Sequence, residues 1–258
     1  MILNPLFQRL ELLTGPDTMA ALGNSQVMVF GLGGVGSWCA EALVRSGIGG
    51  ISLVDFDTVC ISNTNRQIQA LSGTIGRLKA EVLGERLKDI NPECKIKTFP
   101  HVFSKSTADR FDFNEADYII DAIDMLDSKL DLIEAAFSYE KTIFSSMGMA
   151  FKLDPTQIRV ADIWKSSACP LARLVRQGLR KRGFNGHFQV VYSPERLPLV
   201  GVGETVDESF GQASEACAAG EASGSIKKPI GSAVPVTAAA GMTLASLVIR
   251  DIYRRSHE

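Results

Sequence analysis

The sequence predicts an α/β protein built on a mainly parallel sheet with flanking helices. Three observations carry that expectation. Short apolar runs alternate with longer helix-like stretches, the first run ends in a cluster of glycines, and the second and fourth runs end in aspartate. Strands buried on both faces read as continuous apolar runs, and crossover helices join them into a parallel sheet.

Each element follows from its residues. Gln26–Phe30 (QVMVF) is the first strand, and the glycine run Gly31 to Gly36 turns the chain into a helix over Val35–Arg45 that Gly47 ends. Ile51–Val54 is the second strand, closing at Asp55. Leu78–Ile90 is helical, and Asn91-Pro92 stops it. Lys95–Phe99 alternates polar with apolar residues, as a third strand does. Tyr118–Ile120 is the fourth strand, ending at Asp121, and a helix over Leu126–Tyr139 leads to a fifth strand, Thr142–Phe144.

The pattern changes after Gly148. Ile158–Ile163 and Gln189–Tyr192 read as strands and Pro170–Arg182 as a helix. Residues 201–228 are rich in Gly, Ala, Ser and Glu without periodicity, which predicts a mobile loop over about 200–228. Ala233–Ile249 is apolar and near the lower length limit of a membrane span. Pro235 and Thr237 near its start and the small residues in its middle favour a core or dimer-interface helix, so no stable membrane insertion is expected. The chain reads as a single domain over 1–258. Its core is 20–147, and a C-terminal extension, 148–258, packs on the sheet.

Composition narrows the function classes. The 258 residues are 45% hydrophobic and 22% charged, an ordinary globular balance. A formal net charge of −2 means that any polyanion must be met by a local basic patch. The cysteines, at 39, 60, 94, 169 and 217, form no C-x-x-C pair, which excludes a zinc ribbon and a thioredoxin-type motif. Scattered thiols and an opening, MILNPLFQRLELL, without a basic n-region point to the cytoplasm.

The residues expected to carry chemistry cluster after the strands. Gly31, Gly33, Gly34 and Gly36 follow a strand and open a helix, where glycine lets backbone approach a phosphate and the helix N-terminus supplies N–H donors. This makes the domain Rossmann-like. Asp55, roughly twenty residues on, suits ribose hydroxyls and does not choose between NAD and ATP. Asp57 is either a second contact or a solvated turn residue. The string Ser62-Asn63-Thr64-Asn65-Arg66-Gln67 decides more. Hydride transfer has no use for such a polar and cationic cluster, whereas nucleotidyl transfer builds charge on the α-phosphate and the departing pyrophosphate that fixed donors stabilise. Arg66 offers a planar fork, Asn63 and Gln67 neutral donors with Asn65 beside them, and Lys79 a point charge. At the end of the fourth strand, Asp124 suits magnesium bridging phosphate oxygens. Asp121 is a further cofactor contact, or it caps a helix or orients a neighbour.

Taken together, GLGGVGSW (Gly31–Trp38), D-x-D-x-V (Asp55–Val59), S-N-x-N-R-Q (Ser62–Gln67), Lys79 and D-x-x-D (Asp121–Asp124) resemble the ubiquitin-activating-enzyme-like family of adenylating enzymes. The resemblance implies that Gly33, Gly36, Asp55, Asn63, Arg66, Lys79 and Asp124 bind ATP and magnesium. It also implies that an arginine near the N-terminus, here Arg9, reaches the phosphates of the partner in a homodimer. Members that activate ubiquitin-like sulfur carriers usually have two C-x-x-C pairs, and this chain has none.

The strings VRSGIG (Val44–Gly49), TVCISNTNRQIQAL (Thr58–Leu71), INPEC (Ile90–Cys94), DPTQI (Asp154–Ile158), PLARLVRQGLRKRG (Pro170–Gly183) and VVYSPE (Val190–Glu195) are similar to the branch that dehydrates threonylcarbamoyladenosine in tRNA. That branch implies adenylation of the threonine carboxylate and ring closure by the neighbouring urea-type group, with no enzyme thiol, so Cys169 and Cys217 are expected bystanders. A tRNA partner needs cations. Arg173, Arg176 and Arg180 recur at helical spacing beside Lys181 and Arg182, as a nucleic-acid face or else a solvated or dimer-rim face. A sulfur-transfer partner protein is a further possibility under the resemblance. The rivals are activation of a ubiquitin-like sulfur carrier, an NAD-dependent oxidoreductase and a non-catalytic nucleotide-binding scaffold.

Overall fold

A computed structural model describes residues 4–197 and 231–258. The expected loop at 200–228, with Cys217, lies outside the described residues. Two short helices open the chain, α1 (Gln8–Thr14) and α2 (Pro16–Asn24), broken at Gly15 with φ 84° and Pro16 at the first position of α2. The sequence reading missed both. They are short: α1 buries only Thr14, and α2 turns only Thr18, Met19 and Leu22 inward, too few positions to print a clear period.

The elements that follow are β1 (Gln26–Phe30), α3 (Gly36–Arg45), β2 (Gly50–Val54), α4 (Lys79–Ile90), β3 (Lys95–Phe99), β4 (Tyr118–Asp121), α5 (Leu126–Ser138), β5 (Thr142–Ser146), β6 (Arg159–Asp162), α6 (Pro170–Lys181), β7 (Gln189–Tyr192) and α7 (Val234–Arg255). One seven-stranded sheet runs in the order β3-β2-β1-β4-β5-β7-β6. All pairs are parallel except β6 with β7. The order reverses at β1, which lies between β2 and β4, and this is the switch point where such sheets open a ligand crevice.

Successive residues of β1 serve opposite cores, because side chains alternate across a strand. Val27 and Val29 face a core shared with α2, α3, α4 and α7. Met28 and Phe30 face a second core, with Phe103, Phe111 and Phe113 and the apolar sides of α5 and α6. Both faces being covered explains the unbroken apolar run. Edge strand β3 keeps Lys95 and Lys97 exposed, which explains its alternation and guards the edge.

The extension does more than pack on the sheet, because it lengthens the sheet by β7 and the antiparallel edge strand β6. The expected strand over Ile158–Ile163 is shorter, since Ile163–Lys165 turns as a 3-10 helix capped by the Asp162 carboxylate. The apolar helix runs on to Arg255 and is long and apolar enough to cross a membrane. Its inward face, with Val236, Ala240, Leu244, Val248 and Ile252, is buried in the core. It approaches α3 so closely that a Cβ at Gly241 would sit 2.4 Å from the Val35 carbonyl oxygen.

Candidate active site

A cavity of about 1110 Å³ opens at the carboxyl ends of β1, β2, β4 and β5. The β1–α3 turn forms one wall. Gly31 has φ 85°, and a Cβ there would lie 2.6 Å from the Ala122 carbonyl oxygen after β4. A Cβ at Gly36 would lie 1.8 Å from the Gly31 carbonyl oxygen, so the turn closes on itself only with glycine at both ends. Gly33 differs, because nothing stands nearer to its Cβ position than Gln67 Nε2 at 4.0 Å. Gly31, Gly33, Gly34 and Val35 line the cavity just before α3, the helix end that carries partial positive charge.

Asp55 ends β2 with 8% of its surface exposed. Its Oδ2 accepts from the Leu32 backbone N–H at 2.6 Å and its Oδ1 from that of Asp57 at 2.8 Å. Burial pushes its carboxyl above the ordinary range, with Lys79 and the two N–H bonds opposing. Lys79 is 2% exposed, lines the cavity, and pairs through Nζ with Asp57 Oδ2 at 2.8 Å. Asp57 therefore holds the lysine. Arg66 lines the same space, and its Nη1 donates to the Ser62 carbonyl and to Asn65 Oδ1, both at 2.8 Å. Gln67 and Asp124 complete this side.

Several expected contacts stand elsewhere, each for a visible reason. Asn63 is fully buried, and its Oδ1 accepts from the Cys60 backbone N–H at 3.0 Å, so it shapes the segment behind the cavity. Asn65 is committed to Arg66 and, through Nδ2, to the Ser232 carbonyl at 2.9 Å before α7. Gly36 supports the turn from behind. Asp121 is fully buried; it accepts from Lys129 Nζ at 2.7 Å, Ser145 Oγ at 2.6 Å and the Ile123 N–H at 3.1 Å. It orients the β4–α5 loop, the second role left open for it. Arg9 is exposed on α1 and lies outside the cavity of its own chain.

The basic helix divides. Arg173 and Arg176 line the cavity. Arg176 also donates to Ser166 Oγ, and burial with the neighbouring Arg180 holds its guanidinium below the ordinary range. Arg180 stacks over the Trp164 ring at 5.3 Å. Arg182 pairs with Asp131 at 2.7 Å and Glu134 at 2.8 Å on α5. Arg173, Arg180, Lys181 and Arg182 are exposed and Arg176 is half-buried, so the face is largely open although Arg180 and Arg182 already have partners within the chain. Cys39, Cys94 and Cys169 are buried free thiols, and Cys169 lines the cavity.

Other contributors escaped the sequence reading. Trp38 Nε1 donates to the Arg66 carbonyl at 2.9 Å, and Gln69 Nε2 donates to that of Leu32 at 2.7 Å. These two bonds lock the Arg66 segment to the glycine turn. Thr237 on α7 packs against Gly34. Lys152 and Glu195 enter from the extension. The strings containing Trp38 and Gln69 did signal the locality; the long-range partners had no local signature.

The pattern that defines the ThiF family matches residues 7–252. The chain is 38% identical over 248 residues to the tRNA threonylcarbamoyladenosine dehydratase of Bacillus subtilis, covering 96% of this chain and 94% of that one. It is 37% identical over 241 residues to the enzyme of the same name from Haemophilus influenzae, covering 93% and 90%. Among solved structures, that of the Escherichia coli tRNA N6-threonylcarbamoyladenosine dehydratase in complex with ATP superposes with a TM-score of 0.82 at 32% identity, covering 97% of this chain and 95% of that one. On the extent of these matches, the chain belongs to the ThiF family.

Proposed function

We propose that this chain is an ATP-dependent tRNA-modifying enzyme that dehydrates threonylcarbamoyladenosine by adenylating its threonine carboxylate. One observation carries the reading. The cavity that gathers the glycine turn, Asp55, Arg66 and Lys79 continues past Asp124 to Arg173 and Arg176, and at about 1110 Å³ it holds more than a nucleotide. Pockets for one small ligand run to roughly 300–1,000 Å³.

The chemistry follows from that arrangement. A carboxylate oxygen attacks the α-phosphorus of ATP, the bond to the bridging oxygen breaks, and its electron pair leaves with pyrophosphate. Arg66 and the N–H groups of the turn face the charge that develops there. The urea-type group then attacks the acyl carbonyl, loses one proton and expels AMP, which carries off the carboxylate oxygen. The net change in the nucleoside is the loss of one water. Ring closure is intramolecular, so proximity supplies much of its rate, and no thiol takes part.

Asp124 is the proposed magnesium ligand. Among the described residues no group of three or more His, Cys, Asp or Glu forms a cage, and one carboxylate with phosphate oxygens is the mode magnesium favours. When bound, the ion neutralises phosphate charge. Arg9 belongs in this reading to the partner's cavity in a homodimer. It shares α1 with Leu12 and Leu13, which are 77% and 78% exposed and suit an interface. The substrate places the enzyme in the cytoplasm.

The test is release of pyrophosphate and AMP from ATP in the presence of tRNA with and without the threonylcarbamoyl mark. Turnover is expected only with the mark. Turnover that ignores tRNA and requires a ubiquitin-like carrier protein would replace this reading with sulfur-carrier activation.

A further inference from the structure

Among the described residues three lysines are buried, and one of them has no carboxylate within ion-pairing distance. Lys79 pairs with Asp57 and Lys129 with Asp121. Lys152, 6% exposed, donates to the backbone carbonyl of Glu195 at 2.8 Å. Among the described residues no carboxylate lies within ion-pairing distance of it. The Glu195 carboxylate is engaged instead by the backbone N–H groups of Leu153, at 3.1 Å, and Asp154, at 3.0 Å. An ammonium has three N–H donors, so Lys152 retains donor capacity. Burying a cation without an anion is unfavourable, and burial holds this amine below the ordinary lysine range, with Cys169 and Glu195 opposing.

The lysine faces a place where an anion fits. Lys152 lines the cavity together with Cys169, Arg173 and Arg176, in the part built by the extension. The triphosphate side, at the glycine turn, has its own cations in Arg66 and Lys79. We propose that the chamber at Lys152 receives the free carboxylate of the modified nucleoside, with Lys152 Nζ as its direct donor and Arg176 beside it. This rests on the proposed function and assigns the second reactant its seat. Adenylation must bring a carboxylate against a polyphosphate. A cation on the carboxylate offsets that repulsion and aims one oxygen at the α-phosphorus. The substrate anion in turn supplies the counter-ion that the fold withholds from Lys152.

The test uses the full chain and the variants Lys152→Met and Lys152→Arg. Measured are the melting temperature, ATP affinity, affinity for one tRNA with and without the threonylcarbamoyl mark, and single-turnover AMP release. A charge-assisted hydrogen bond of this kind corresponds to about a 10- to 100-fold effect. The wild type is expected to prefer the marked tRNA by about 10-fold. Lys152→Met should bind both tRNAs alike, hold ATP within about twofold of the wild type, and release AMP about 100-fold more slowly. Lys152→Arg should recover part of the preference. If Lys152→Met does not fold, Lys152→Gln carries the same comparison. An unchanged preference and rate in the neutral variant would overturn the assignment, as would a wild type indifferent to the mark. Loss of ATP affinity would give the lysine to the nucleotide instead. A wild type that releases no AMP with marked tRNA would sink the functional reading beneath the assignment, a result separate from these.

Discussion

At the scale of single residues, two aspartates three positions apart have different tasks. Asp124 lines the cavity, whereas Asp121 is sealed beneath it with Lys129, both side chains fully buried. Removing one partner of a buried pair leaves an uncompensated charge and costs about 3–5 kcal/mol. Asp121→Asn should therefore lower the melting temperature by on the order of 10 °C in a chain of this size. Arg66→Ala is the opposite case. Its side-chain bonds are exposed, so the fold should hold while kcat falls about 10²- to 10³-fold, as when one donor to a developing charge is lost. Thermal melts and steady-state kinetics on the two variants check both statements. The D-x-x-D string announced that carboxylates belong here. The sequence favoured Asp124 for the ligand side, but the partners that hold Asp121 beneath it, Ser145 and Lys129, come from other elements and have no local sign.

At the scale of elements, the glycine turn repeats the lesson. The motif reads the same at each glycine, yet Gly36 serves the backbone and Gly33 serves the cavity. Gly36→Ala should unfold the turn, lowering both melting temperature and ATP binding. Gly33→Ala should leave the melting temperature within about 2 °C, the shift expected of a substitution worth a few tenths of a kcal/mol, while weakening ATP at least tenfold, because its methyl enters the cavity. Melting curves and ATP titrations separate the two. Strands β1, β2 and β4 and helix α4 were legible because burial on one or both faces prints a periodicity on adjacent residues. Helices α1 and α2 were not, because α1 buries only Thr14 and the inward side of α2 is just Thr18, Met19 and Leu22. Helix α6 was located within one residue of its ends, but the partners of its charges were not visible. Asp131 and Glu134 of α5 neutralise Arg182, and the Trp164 ring takes up Arg180.

At the scale of the whole molecule, the chain combines a conventional switch-point crevice with an extension that completes it. Strands β6 and β7 widen the sheet, α7 braces α3, and Lys152, Arg173 and Arg176 give the cavity a second charged region. The extension was visible in the sequence only as a change of pattern after Gly148, because its partners are brought together by topology. A net charge of −2 excludes a general attraction for polyanions, so recognition of tRNA must come from cations in and around this cavity. The central claim is that this cavity activates a carboxylate on tRNA and leaves the nucleoside short of one water. The most direct measurement is mass spectrometry of nucleosides from tRNA bearing the threonylcarbamoyl mark, after incubation with the protein, ATP and magnesium. Conversion of the marked nucleoside to a species lighter by one water, dependent on ATP and abolished by Arg66→Ala, is the predicted result. An unchanged nucleoside mass while ATP is consumed would contradict it.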